Sequence, residues 1–238
     1  SSSAASDVYK RQGIYKLKAN LVKNIISIGI SPFLMNACAC VIVIFINNQL
    51  VRFGGDMSVG AYGIGNSIAM IFIMFVIGLN QGMQPIAGYN YGAQQYERMM
   101  RVVKLSIITA TCIMLTGWSL AMFVPYHCVR LFTTNPELIK RSINALHIIM
   151  MMFPLIGCQM VITNFFQCIG KVKISIFLSL SRQLLFLLPL LILLPNFYGI
   201  NGVWASMPTS DFIAVVVAII TMTVYLRRFK KDMQSKNS

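Results

Sequence analysis

Gln84-Pro85-Ile86-Ala87-Gly88-Tyr89-Asn90-Tyr91-Gly92-Ala93-Gln94 stands where a long uncharged apolar segment stops and a basic segment begins. Pro85 removes a backbone donor and disfavours helical geometry at Gln84. Gly88 and Gly92 permit positive φ or close backbone approach, and Asn90 can hydrogen-bond its own backbone. The stretch reads as a helix end folded into a tight, polar corner, and the chain on either side decides what kind of helix it ends.

That chain is built for lipid. Hydrophobic residues make up 57% of it and charged residues only 11%, with a mean hydropathy of +0.71; soluble domains carry roughly 25% charged residues. A membrane-crossing helix needs about 20 mostly apolar residues. Six segments qualify, at about 24–46, 59–82, 100–126, 138–169, 174–194 and 201–226. The expected fold is therefore an all-α integral membrane protein, a bundle of six transmembrane helices. Between them lie short polar joints: Asn47-Asn48 with Gly54-Gly55-Asp56, then the opening stretch, then Thr134-Asn135-Pro136-Glu137 as a helix start. Gly170-Lys171-Val172-Lys173 makes a basic turn, and Pro195-Asn196 closes the fifth span. At the head of the third span, Tyr96, Met99, Met100 and Val103 recur at helical spacing, with Glu97 and Arg101 placed for an i,i+4 pair on the other face.

The net charge of +14 does not point to nucleic acid, because the basic residues fall between apolar runs rather than on one soluble face. They report orientation instead. With the N-terminus inside, the inner segments hold 13 basic residues (Lys16, Lys18, Lys23, Arg98, Arg101, Lys104, Lys171, Lys173, Arg227, Arg228, Lys230, Lys231 and Lys236), and the outer loops hold four, Arg52, Arg130, Lys140 and Arg141. The positive-inside rule then places both ends in the cytoplasm and the chain in the cell (inner) membrane as a multi-pass protein. Residues 1–12, Ser1 to Gln12, lack a starting Met and are expected to be a non-native leader, the alternative being a cytoplasmic tail; 232–238 reads as a polar tail.

Two charges fall inside spans, Arg182 in the fifth and Asp211 in the sixth. At 1.5 Å per residue they lie roughly 14 and 15 Å from opposite faces, close to mid-depth of a core about 30 Å thick. Their helices are consecutive and antiparallel, so the two can meet. The expectation is either an Arg182–Asp211 ion pair or an Asp211 that titrates and couples to a proton or cation; a fixed tie between helices is the plainer reading. Asn164 and Gln167 share a face near the end of the fourth span, and Asn36, Asn66, Asn80, Gln81 and Gln159 are further amides in or beside the membrane, ordinarily interhelical hydrogen-bonders. His147 reads as a core histidine, and Met150-Met151-Met152 as packing or as the wall of an adaptable apolar cavity. The six cysteines form no C-x-x-C pair, so no disulfide framework or metal site is indicated. No acid, base or nucleophile constellation of an enzyme stands out.

The pattern Q-P-x-x-G-x-N-x-G-A at Gln84 to Ala93 is similar to a hallmark of the MATE family, the multidrug and toxic compound extrusion transporters. Phe165-Phe166-Gln167-Cys168-Ile169-Gly170-Lys171, with Ser181-Arg182-Gln183 and Pro189, resembles that family's tenth and eleventh helices. Gly199-Ile200-Asn201-Gly202-Val203-Trp204-Ala205-Ser206-Met207-Pro208-Thr209-Ser210-Asp211 resembles its twelfth, and Asn24 to Gln49, with Ser31-Pro32-Phe33, its seventh. The resemblance covers Gly13 to about Lys231 and implies the C-terminal half of a twelve-helix antiporter, with one six-helix lobe as partner still to be supplied on the N-terminal side. It further implies export of small cationic, amphipathic, drug-like substrates in exchange for Na⁺ or H⁺, with no organic cofactor. Some members carry an acidic residue in the seventh or tenth helix for cation binding; here neither has Asp or Glu. The motif residues Gln84, Pro85, Gly88, Asn90 and Gly92 are expected at the cytoplasmic gate, shaping backbone and tying helix ends rather than touching drug. The competing readings are a lobe of a lipid-linked oligosaccharide flippase, which needs more intramembrane Arg and Lys than Arg182 alone, and a non-transporting membrane scaffold.

Overall fold

The computed structural model describes residues 19–236, and they are helical apart from short turns, with no strand among them. The expected leader at 1–12, and Lys16 and Lys18, lie outside the described residues. The order is α1 (Ala19–Gly54), α2 (Asp56–Gly92), α3 (Tyr96–Phe123), the short α4 (Pro125–Arg130), α5 (Pro136–Ile149), α6 (Phe153–Cys168), α7 (Val172–Leu180), a π-helical segment (Ser181–Leu187), α8 (Leu188–Tyr198) and α9 (Ile200–Lys236). Five of the resulting rods are long and apolar enough to cross a membrane, and α5 with α6 qualifies as a sixth, bent by 51°. The six-span expectation holds in that form.

The helices overrun the expected limits. α1 runs through Asn47-Asn48 to Gly54, and α9 carries most of the supposed tail as helix to Lys236. α2 passes straight through Pro85 and ends at Gly92 rather than Gly82. In lipid, unravelling a turn strands several backbone groups, whereas one proline strands a single carbonyl, so the helix continues. The polar corner sits later. Gln94, not Gly88 or Gly92, takes the left-handed conformation at φ 59°. Its amide bonds Tyr91 O (3.1 Å) and that of Gln95 bonds Asn90 O (2.8 Å), the paired closure of a Schellman motif. The expected Glu97–Arg101 pair does not form among the described residues; Arg98 instead donates to Gln95 at 3.1 Å.

The fourth span breaks at Met150 to Met152, where Pro154 in the first turn of α6 restricts the residue before it and suits a helix start rather than a helix middle. α5 begins as expected, with Asn135 Oδ1 accepting from the amides of Glu137 (3.0 Å) and Leu138 (3.4 Å). The fifth span contains the π turn. The Leu188 amide reaches five residues back to the Gln183 carbonyl, and the wide turn lies just before Pro189, whose ring would clash with the Leu185 carbonyl in a regular helix. Pro195 is held inside α8, which ends at Gly199 (φ 57°) instead.

Two apolar clusters hold the bundle. The larger joins α2, α3, α6 and α9 through residues such as Val76, Met114, Phe165 and Ala218; the smaller joins α1, α5, α8 and α9 through Leu50, Ala145, Leu191 and Trp204. α3 packs chiefly on α6 and α2. Close approach there depends on Gly157: a Cβ at that position would lie 2.9 Å from the Ala110 carbonyl oxygen of α3. Gly157→Val is expected to destabilise the bundle by about 1–3 kcal/mol through overpacking, read as a lower melting temperature in detergent. Gly63→Ala, where an added Cβ meets nothing within 4 Å, should be neutral or slightly stabilising.

Candidate functional site

Arg182 lies on the π segment and Asp211 three turns into α9, and the structure brings them together with Nε to Oδ1 at 2.8 Å. The Arg182 Nη1 also points at Gln159 Oε1 of α6, at 3.5 Å. One guanidinium thus bridges three elements. Asp211 is 8% exposed and Gln159 4%, whereas the Arg182 side chain is 34% exposed, so the carboxylate is the buried member of the pair. Removing Arg182 would leave the buried Asp211 carboxylate uncompensated, which costs about 3–5 kcal/mol. The π turn matters here, because widening one turn shifts the direction of every side chain it carries relative to an unbroken α-helix.

The pair lines a cavity of about 140 Å³, large enough for several waters. Ile46 and Met207 of the smaller apolar cluster form one side, and Ala69, Phe153 and Ile156 of the larger form another. Tyr62 and Asn66 of α2 and Ser210 of α9 complete its polar lining. The site therefore sits where the two clusters meet, with a carboxylate and a guanidinium facing a small polar chamber walled by apolar side chains. That arrangement can hold a cation or a proton at the carboxylate in competition with Arg182.

Of the motif residues, Gln84 ties two helices of the bundle together and Asn90 bonds within its own helix. Gln84 Nε2 donates to Asn164 Oδ1 at 2.8 Å, linking α2 to α6, and Asn164 Nδ2 donates to Met160 O at 3.0 Å. Asn90 Nδ2 donates back to Ile86 O at 2.8 Å within α2. The Tyr91 and Tyr225 hydroxyls are hydrogen-bonded, and the Tyr225 ring packs edge-on against Phe166, with centroids 5.2 Å apart. A Cβ on Gly88 would meet the Cys168 carbonyl oxygen at 3.6 Å, ordinary contact, and one on Gly92 would meet nothing. Pro85, Ile86 and Tyr89 face outward from the described bundle.

The remaining expected residues separate. Gln167 is exposed at the end of α6 rather than sharing the Gln84–Asn164 bond, and Asn36 is exposed on α1. Both amide atoms of Asn80 are buried without a partner, as is His147 Nε2. All six cysteines are free thiols, and among the described residues no group of three or more His, Cys, Asp or Glu comes together to hold a metal. Sequence reasoning missed the reach of Gln159 to Arg182 and the tyrosine pair. Gln159 carried a signal, being an amide in a span, whereas Tyr225 looked like one more apolar residue.

The comparisons agree with this architecture. The MatE family model matches residues 28–193. The chain is 22% identical over 215 residues to multidrug export protein MepA of Staphylococcus haemolyticus, covering 90% of this chain and 47% of that protein. It is 24% identical over 213 residues to MepA of Staphylococcus aureus (strain NCTC 8325 / PS 47), covering 90% and 46%. Among solved structures, the MATE multidrug transporter DinF-BH superposes with a TM-score of 0.77 at 36% identity, over 90% of this chain and 48% of that one. A MATE in the bent conformation superposes with a TM-score of 0.83 at 21% identity, over 92% and 49%. The chain thus spans about half the length of the relatives it matches. With the family model covering most of its length, a six-span bundle on the family's own lobe and the Gln84 to Ala93 motif at a helix end, the chain belongs to the MATE family.

Proposed function

We propose that this chain is the C-terminal six-helix lobe of a secondary multidrug efflux antiporter, which exports cationic amphipathic compounds in exchange for Na⁺ or H⁺ across the cell membrane. Its working partner is an N-terminal six-helix lobe, and both ends of this chain face the cytoplasm, as the 13-to-four distribution of basic residues favours. The relatives named for multidrug export and the half-length coverage support the reading. The observation that carries it is the Arg182–Asp211 pair facing a polar chamber inside an otherwise apolar lobe.

Asp211 is the exchangeable group. A proton or Na⁺ taken up at its carboxylate weakens the hold on Arg182, and release restores the pair. The pair bridges α6, the π segment and α9, so its state biases how those elements pack, which is the differential interaction an antiporter needs between its two conformations. Gln84–Asn164 and Tyr91–Tyr225 keep the motif end of the lobe rigid while it moves as a unit. A flippase for pyrophosphate-linked sugars calls for an unengaged cation in the membrane; Arg182 is already neutralised by Asp211, which disfavours that reading.

In vesicles carrying the full-length transporter with this lobe, Asp211→Asn is expected to cut ion-driven drug efflux at least about tenfold, a loss of about 1.4 kcal/mol of coupling, and to flatten its response to a pH or Na⁺ jump. Efflux and pH response unchanged by that substitution would overturn the coupling role. The charge-swapped double variant Arg182→Asp with Asp211→Arg should recover thermal stability lost in either single variant, without recovering coupling. Cells producing this chain alone should show no drug efflux, since one lobe offers one wall of a transport pathway; efflux from them would refute the need for a second lobe.

A further inference from the structure

The first turns of α3 hold Arg98, Arg101 and Lys104. The helix buries one face, through residues such as Met99, Val103, Ala110 and Met114, against α2 and α6. At about 100° per residue, Arg101 and Lys104 fall on the opposite face, in one sector about 100° wide with Leu105, Ile108, Cys112 and Leu115. Leu105 is 64% exposed and Ile108 61%, and Arg101, Lys104 and Cys112 are exposed as well. An outward apolar stripe thus runs along α3, and cations cap one end of it.

The spacing along the helix axis matches a bilayer. Leu105 to Phe123 carries no charge and is about 27 Å long at about 1.5 Å per residue, close to a hydrocarbon core of about 30 Å. The headgroup layer adds about 5–7 Å on each side. Measured from Leu105, Lys104 stands about 1.5 Å and Arg101 about 6 Å outside the core, both within that layer. Arg98 lies about 10 Å out and already donates to Gln95 Oε1 at 3.1 Å. Glu97, the one acidic residue of α3, lies about 12 Å out, beyond the headgroups. Among the described residues neither Arg101 nor Lys104 forms an ion pair or a side-chain hydrogen bond. A protein partner on this face would have to desolvate both cations, and charged residues are depleted from interface cores. A soluble anion gains nothing from Leu105 and Ile108. An anionic phospholipid gains from both, with its phosphate at the cations and its acyl chains along the stripe.

We propose that Arg101 and Lys104, with the apolar stripe beside them, form a binding site for one anionic phospholipid, and that Arg98 is its outer rim. Two cations on successive turns of one face meet the phosphate, and Leu105 and Ile108 meet the acyl chains. No residue of α3 lines the ion-pair chamber. The site is therefore separate from the exchange chemistry, and it requires only that α3 cross a bilayer.

The full chain, purified and delipidated in a neutral detergent, is titrated with dioleoyl phosphatidylglycerol or dioleoyl phosphatidylcholine, and bound lipid is counted by native mass spectrometry. One phosphatidylglycerol should bind at least about tenfold tighter than phosphatidylcholine. Arg101→Gln with Lys104→Gln should weaken phosphatidylglycerol roughly thirtyfold, about fivefold for each cation removed, and leave phosphatidylcholine unchanged. Arg227→Gln with Arg228→Gln takes the same charge from α9, which does not pack along α3, and should change little. Arg101→Lys with Lys104→Arg should bind as the parent chain does. Where the double glutamine variant melts early, the two single variants are read in its place, each at about a fivefold loss. Equal affinity for the two lipids would overturn the proposal, as would glutamine variants no weaker than the α9 pair. Glycerol phosphate that competes at lipid concentrations would show a site for free anions and overturn it too. On the full-length transporter the same titration must keep its dependence on Arg101 and Lys104; loss of that dependence means that the other lobe covers this face, and the proposal falls.

Discussion

A helix in lipid has to keep its backbone hydrogen bonds or give each lost one a reason, and the organisation of this lobe follows from where it declines to. Through Pro85 it concedes one carbonyl and keeps going. At Ser181 to Leu187 it widens to a π turn just ahead of Pro189. At Met150 to Met152 it breaks, and in α9 it takes in Pro208, both beside a hollow. The regular stretches supply packing faces, and the irregular ones carry the polar chemistry, which is the division of labour expected when water is absent.

The second constraint is charge. Arg182 and Asp211 are expensive singly and tolerable together, and Gln159 gives the guanidinium a further acceptor from α6. Their chamber lies between the two apolar clusters, one built mainly on α2, α3, α6 and α9 and the other on α1, α5, α8 and α9. α9 belongs to both, and Asp211 sits on it between Met207 of one cluster and Ala218 of the other.

Much of this was legible in the sequence because hydropathy and charge are read directly from residues. The six spans came from uncharged runs, and the meeting of Arg182 with Asp211 came from equal depth on consecutive antiparallel helices. What was not legible depended on competition between local rules and the solvent. Pro85, Gly88 and Gly92 signal a helix end in water, but lipid enforces helix through Pro85 to Gly92, and Gln94 takes the positive φ instead. Pro154 falls in the middle of the expected 138–169 span, because span length says nothing of where backbone bonds are forfeited. The π turn has a cause in Pro189, visible only once the clash with the Leu185 carbonyl is considered. Asn164 and Gln167 were expected to share a face, but Asn164 is half-buried against Gln84 whereas Gln167, in the last turn of α6, is exposed.

Gly55 alone separates α1 from α2, and Gly199 alone separates α8 from α9. A one-residue joint leaves the two helix ends it connects adjacent. The two joints also abut, since a side chain on Gly54 would collide with Ile200 Cδ1. Four of the rods are therefore held together at one end of the lobe. At the opposite end Gln84–Asn164 and Tyr91–Tyr225 clasp α2 to α6 and to α9, so the lobe is tied at both ends.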